Sequence, residues 1–324
     1  ALIKAGLPNT VPATAVNKVC ASGMRSVMVA MDQIALGHSD VIVAGGMESM
    51  SQVPYYLPSQ RFGSKLGHTQ TEDGILKDGL WDVYNDYHMG SAAELCAREC
   101  SISREDQDAF AIESYKRAQK AQESGAFDAE RFEVKVVGRK GEATMVRDDE
   151  ELSKAQFDRI PTLKPVFEKE GTVTAANASS LNDGAAALLL MSESKANELG
   201  VTPLAKLHSH SSAAQAPEWF TTTPSLAIPK ALQRAGLQTS DIDLFEINEA
   251  FSVVSLANNQ ELELDPERVD VHGGAVSLGH PIGCSGARIL VTLIHALGWH
   301  SKTMGCAGIC NGGGGASAMV VERL

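Results

Sequence analysis

One pattern occurs twice in the chain, far apart, and it constrains the fold more than any other feature. The first copy is Ser22-Gly23-Met24-Arg25, then an apolar helical stretch to about Leu36, a strand-like segment at 40–44, and Gly45-Gly46. The second is Ser285-Gly286-Ala287-Arg288, an apolar helical stretch to about Leu297, a strand-like segment at 304–309, then Cys310-Asn311 and four glycines. A further element repeats: 183–187 followed by the apolar 188–191 mirrors 314–318 followed by 319–321. Three elements in the same order predict two related α/β halves. In the second copy the last strand follows the glycine turn at once. In the first, an insertion of about 51–175 intervenes. It carries an amphipathic helix over 103–124, with Ser103 and Asp106 in a capping pattern and Gly125 as its stop.

Charge and cysteine usage narrow the function. The formal net charge of −12 argues against nucleic acid as a partner. No apolar run approaches the roughly 20 residues of a membrane helix, so no membrane partner is expected. Six cysteines, at 20, 96, 100, 284, 306 and 310, are too sparse for a disulfide scaffold and lack zinc-knuckle spacing. A reducing compartment follows most simply. The opening at Ala1, without Met or a targeting pattern, resembles the tail of a helix and points to a chain whose beginning lies elsewhere. Lys116, Arg117 and Lys120 suit a solvated helix face; Lys154, Arg159, Lys164 and Lys169 precede a buried-looking run.

Four positions could do chemistry. Cys20 follows the strand-like 13–19 and stands just before a helix, whose partial positive charge is expected to lower the thiol pKa. A buried structural cysteine is the alternative. His280 sits in a Gly-punctuated loop ahead of the second copy's helix. The repeat places it near the counterpart of Cys20, in reach of an activated thiol–imidazole pair; a satisfied loop histidine is the alternative. Cys310 ends a strand before Gly312-Gly313-Gly314-Gly315. No GxGxxG opens a helix and no GxxxxGK[ST] occurs, so an oxyanion site beside a thiol is favoured over a phosphate cradle. Asn248, after the strand-like 243–247, either caps a helix or holds a water or a carbonyl.

Together, NKVCASG around Cys20, NEAF at Asn248, GGAVSLGHPIGCSGAR around His280 and CNGGGGAS from Cys310 resemble the thiolases over essentially the whole chain. The likeness is greatest to the short-chain acetyl-CoA acetyltransferases, and among these to the mitochondrial type. It implies an α/β fold of two duplicated βαβαβαββ halves in a layered αβαβα arrangement, with a loop domain in the first. The halves would be 1–51 with 176–200, and 201–324, around an insertion at 52–175. It also implies that several tens of residues precede Ala1, including a strand and helix of the first half.

The resemblance further implies the roles. Cys20 carries the acyl group. His280 helps deprotonate it and shares an oxyanion hole with a water held by Asn248. The backbone N–H groups of Cys20 and Gly312 form a second hole, and Cys310 moves the α-proton. The reaction would join two acetyl-CoA into acetoacetyl-CoA and CoA, reversibly. No cofactor is needed for the chemistry, coenzyme A being substrate and product. Substrate contacts fall on His88, Met89, Tyr115, Arg159, Ser179 and Phe251. A potassium ion would use Tyr115 and backbone oxygens at Ala175, Ala176, Ala178 and Val276. A homotetramer in the mitochondrial matrix is implied, with the cytoplasm as the alternative. Competing readings are a ketoacyl synthase, a longer-chain 3-ketoacyl-CoA thiolase, or an inactive acyl-CoA-binding relative. Departures from the family pattern are His272, Glu130-Arg131-Phe132-Glu133, the turn at 298–303 with Trp299 and His300, and Pro217-Glu218-Trp219-Phe220.

Overall fold

A computed structural model of the chain describes residues 1–138 and 140–324. The repeat is a structural one. Helix α1 (Ser22–Ala35) leads to strand β1 (Val41–Ser49), which pairs antiparallel with β2 (Asp183–Met191). In the second half, β3 (Ala205–Ala214), α4 (Pro224–Ala235) and β4 (Leu244–Ile247) precede the counterpart set. That set is helix α7 (Ile282–Trp299), β5 (Met304–Asn311) and β6 (Gly315–Arg323). Strands β5 and β6 pair antiparallel, as β1 and β2 do, in a four-stranded sheet of order β4-β5-β6-β3. Within the first half, between β1 and β2, lie α2 (Met89–Glu99) and α3 (Arg104–Ser124); α5 (Ser252–Glu261) and the short α6 (Ala275–Leu278) complete the second half.

The central layer is the helix pair α1 and α7. Met24, Val27 and Met28 recur at helical spacing on one face of α1, and Ile289, Leu290 and Leu293 on α7, all at most 1 % exposed. They pack in one cluster with Ala44 and Leu190 of the first sheet and Ile309, Met319 and Val321 of the second. Each large side chain so buried contributes roughly 1.5–3 kcal/mol. Helix α7 is long and apolar enough to cross a membrane by composition, against the expectation of no such run, but here it is the core helix between two sheets. The outer face of the second sheet is covered by α4, through Ile228, Ala231 and Leu232. The outer face of the first carries exposed Val43, Met47 and Leu189 and borders a cleft of about 1120 Å³.

The repeated Ser-Gly marks where the two helices cross. A Cβ on Gly23 would lie 2.6 Å from the Ala287 nitrogen, and one on Gly286 would lie 2.5 Å from the Met24 nitrogen. The two copies of one motif therefore touch backbone to backbone about a pseudo-twofold axis. Neither helix can retreat without parting from a sheet, so Gly286→Ala is expected to cost about 3 kcal/mol. Urea unfolding measures this, and an unchanged midpoint would contradict the crossing.

Two local expectations are corrected. Gly45-Gly46 does not end the first strand, which runs through to Ser49. A Cβ at Gly45 would meet the Ala186 oxygen at 2.2 Å, and at Gly46 the Gly283 oxygen at 2.1 Å. These glycines permit close approach, whereas Gly313 and Gly314 make a true turn at positive φ. Residues 13–19 form no strand; an isolated bridge of Lys18 to Cys20 is all the pairing there among the described residues. Helix α3 agrees with the sequence: Ser103 and Asp106 form a capping box and Gly125 is left-handed at its end.

Candidate active site

The turn carrying Cys20 is pinned by one hydroxyl. Ser22 Oγ accepts from the Lys18 N–H at 2.8 Å and donates to the Val19 carbonyl at 2.6 Å. Val19 is held at φ +49°, costly for a β-branched residue, and this turns Cys20 out just ahead of α1. The expected low thiol pKa is not found. Burial pushes Cys20 up to about 11; the Gly312 and Cys20 N–H groups pull it down, and Glu48 pushes it further up. Desolvation outweighs the helix terminus, and no cation among the described residues lowers the thiol pKa. Alkylation of Cys20 by iodoacetamide should therefore quicken about tenfold per pH unit between about pH 7 and 10. A rate already level at neutral pH would mark a resting thiolate instead.

Cys310 and Asn248 arrive from neighbouring strands. Strands β4 and β5 run parallel, and the Asn248 N–H donates to the Gly308 carbonyl at 3.0 Å, so both residues stand at the carboxyl ends of paired strands. Cys310 is 1 % exposed. Burial holds its thiol well above the usual range, and the nearby Cys20 adds to this. The capping role for Asn248 is overturned: α5 begins only at Ser252, with Phe251 at the cap position. Asn248 Nδ2 and Oδ1 are both buried with no partner among the described residues, the signature of a side chain kept for water or substrate.

His280 shows the same signature. Its Nδ1 lies 2.6 Å from Ser285 Oγ, which donates to the Pro281 carbonyl at 3.0 Å. Nδ1 then carries the proton, and Nε2 is left bare and buried, with no partner among the described residues. Burial, with Arg288 assisting, lowers its pKa to about 4, so the resting imidazole is neutral. The His280 N–H donates to the Ser180 carbonyl at 3.1 Å, and Ser179 N–H to the Ala250 carbonyl at 3.2 Å. Three motifs, 174–182, 248–252 and 280, are thus stitched together by main chain.

The substrate-contact residues fall in two places. Met89 lies beside Gly312, where an added Cβ would meet its sulfur at 3.8 Å, and packs with Phe251 and Cys310 in one apolar cluster. His88 caps α2, its Nδ1 accepting from the Gly90 N–H, and stacks on Phe167 at 4.6 Å; burial lowers its pKa. Phe167 meets Phe251 edge-on at 6.2 Å. Ser179 Oγ donates to the Ala250 carbonyl, leaving its lone pairs free to accept. Tyr115, on α3, packs edge-on to Phe157 at 6.5 Å, and Arg159 is exposed on the same short turn, Phe157–Thr162. The two are not brought to the thiols. Sequence reasoning assigned no role to Ser22, Ser285 or Glu48, whose Oε2 accepts the Gly283 N–H at 3.0 Å. The signal for the two serines was in view, since both are the Ser of the repeated Ser-Gly.

The geometry fits an acyl-transfer family, and comparison with known proteins decides which. The family model described as "Thiolase, N-terminal domain" matches residues 1–194, and "Thiolase, C-terminal domain" matches 201–323. The chain belongs to the thiolase family. This thiolase is 57 % identical to acetyl-CoA acetyltransferase 2 of Arabidopsis thaliana, over all of this chain and 81 % of the relative. It is 55 % identical to a mitochondrial acetyl-CoA acetyltransferase of Danio rerio, over all of this chain and 76 % of the relative. Among solved structures, a thiolase from Ascaris suum in complex with coenzyme A superposes with a TM-score of 0.93 at 43 % identity, covering 99 % of this chain and 82 % of that one.

Proposed function

We propose that this thiolase is an acetyl-CoA C-acetyltransferase that joins two acetyl-CoA into acetoacetyl-CoA and CoA, reversibly, through acetyl-Cys20. The observation that carries the reading is the thiol pair: Cys20, whose pKa the Gly312 and Cys20 N–H groups pull down, and Cys310, close enough to Cys20 for that thiol to raise its pKa. Both thiols rest protonated. His280 Nε2 takes the Cys20 proton as the sulfur attacks the first thioester, and the departing CoA thiolate takes its proton from Cys310. The Cys310 thiolate, a strong base in this dry site, then removes the α-proton of the second acetyl-CoA. The enolate oxygen is held by the Nε2–H of His280 and a water on Asn248. The α-carbon of this enolate attacks the carbonyl carbon of acetyl-Cys20, whose tetrahedral oxygen sits between the Cys20 and Gly312 N–H groups. Collapse frees the Cys20 thiolate, which recovers its proton from His280. Each oxyanion donor is worth about 2.7–4 kcal/mol of barrier.

His88, Met89, Ser179 and Phe251 form the acyl and pantetheine wall, with Tyr115 and Arg159 outside it. The apolar wall of Met89, Phe167 and Phe251 favours short acyl chains, so turnover of a four-carbon 3-ketoacyl-CoA should exceed that of a sixteen-carbon one by at least about tenfold. Equal turnover would favour the longer-chain reading. A potassium ion fits the carbonyls of Ala175, Ala176, Ala178 and Val276, which accept no hydrogen bond from the described residues, and the Tyr115 hydroxyl, which stands near Glu151 and Glu249. It would supply fixed positive charge. A homotetramer would cover the exposed apolar side chains of the hairpin Val134–Val137 with Ala143–Val146; light scattering tests it. The match to a mitochondrial relative supports a place in the matrix.

A further inference from the structure

Asn248 and His280 must face one enolate oxygen, yet no hydrogen bond joins their side chains among the described residues. Something else has to set their spacing. The residue beside Asn248 is Glu249, 1 % exposed. One of its oxygens, Oε2, accepts from the Val276 N–H at 3.0 Å and from Ser114 Oγ at 2.7 Å. Val276 lies in α6, three residues before Gly279, whose turn delivers His280. Ser114 lies in α3 of the insertion. Its Oγ also accepts the Gly274 N–H at 3.2 Å and sits 2.9 Å from Ser277 Oγ.

The chain is moulded to this carboxylate. A Cβ on Gly274 would lie 2.4 Å from Glu249 Cδ, and one on Gly273, already at φ +75°, would lie 2.5 Å from the Ser114 carbonyl. The Gly-Gly turn therefore lets the loop close onto Glu249 and Ser114 with no side chain between. A single oxygen atom thus ties the strand end bearing Asn248 to the helical turn that leads into His280, and both to the inserted helix. Placing a carboxylate here is costly. Burial pushes Glu249 up to about 7, and the Ser114 and Val276 hydrogen bonds, with Arg288 and Arg117 behind them, only partly offset this. Glu246 and Asp270, also buried, stand on the same side. A glutamate kept at such a site needs a purpose beyond packing.

We propose that Glu249, with Ser114, is a positioning residue that holds Asn248 and His280 in register around the enolate oxygen. The proposal rests on the oxyanion reading of those two residues. Glu249 touches no substrate. Its effect is on kcat, because a loop shifted by about 1 Å loses on the order of 10²-fold when the geometry is that of a transition state. The binding of acetyl-CoA, made by other segments, stays.

The test is a variant series in the full chain, assayed for condensation and for exchange of the acetyl-CoA α-hydrogens with deuterated solvent. Glu249→Ala should lower kcat and the exchange rate together by about 10²-fold, with KM within about threefold. Glu249→Gln keeps one oxygen able to accept from both donors and should recover to within about fivefold of the native rate. Ser114→Ala, the milder change, should lose about tenfold in kcat and keep KM, and it carries the test if Glu249→Ala does not fold. The inference is overturned if Glu249→Ala works within about threefold of native, if KM rises as much as kcat falls, or if Gln is as poor as Ala. His280→Ala and Asn248→Ala run alongside. Should these two retain native turnover, the oxyanion reading itself fails; should they fail while Glu249→Ala does not, only the positioning role falls.

Discussion

Cys20→Ala lowers turnover in both directions by on the order of 10⁴-fold or more, because no other thiol can take over its place. Two main-chain N–H groups, its own and that of Gly312, pull the Cys20 thiol pKa down. Both groups remain in the variant, and so does the acyl wall, so coenzyme A binding should change little. Peptide mass mapping after incubation with acetyl-CoA should find no acetyl on the variant and acetyl on Cys20 in the native protein. The distinction matters because the chain has five other free cysteines. Cys96, Cys284 and Cys306 are buried thiols pushed up to about 11 or 12, and no main-chain donor among the described residues lowers these values. An acetyl group persisting elsewhere at the native rate would remove Cys20 from the mechanism.

Cys310→Ala separates the two halves of the reaction. Acetylation of Cys20 continues, since water can supply the proton that the departing CoA thiolate takes. Condensation falls by about 10³-fold or more, the loss expected when a positioned base is removed. The acyl-enzyme should then accumulate, and α-hydrogen exchange of acetyl-CoA with solvent should stop. The direction of the Cys310 pKa makes this effect large: a thiol held far above the usual range gives, once deprotonated, a base strong enough for a thioester α-hydrogen. Undiminished exchange in the variant would assign the proton transfer to another group.

The duplicated architecture was legible because a repeated motif is tied to a repeated contact. Ser-Gly occurs twice because two helices cross at those glycines, and such a contact leaves a mark in both copies. The same reasoning failed at Gly45-Gly46, where the sequence looks like a turn and the structure makes a close strand contact. Glycine reports a missing Cβ, not which neighbour requires its absence. Residues 13–19 look like a strand from composition, but strand formation depends on a partner, and composition names none. The thiol pKa of Cys20 was expected to fall because a helix start is visible in sequence. Burial, which is not visible there, sends it the other way. Glu249 stayed unread for the same reason: its partners, Ser114 and Val276, are far away along the chain and meet only in the fold.

The central claim is that acetyl-Cys20 is the acceptor of a carbanion made by Cys310. The most direct measurement isolates the enzyme acetylated with carbon-labelled acetyl-CoA, then adds unlabelled acetyl-CoA in a single turnover. The label should appear in acetoacetyl-CoA only in the terminal acetyl half, distal to the thioester, with label lost from Cys20 at the same rate. Label in the half adjoining coenzyme A, or acetoacetyl-CoA formed without loss of label from Cys20, would contradict it.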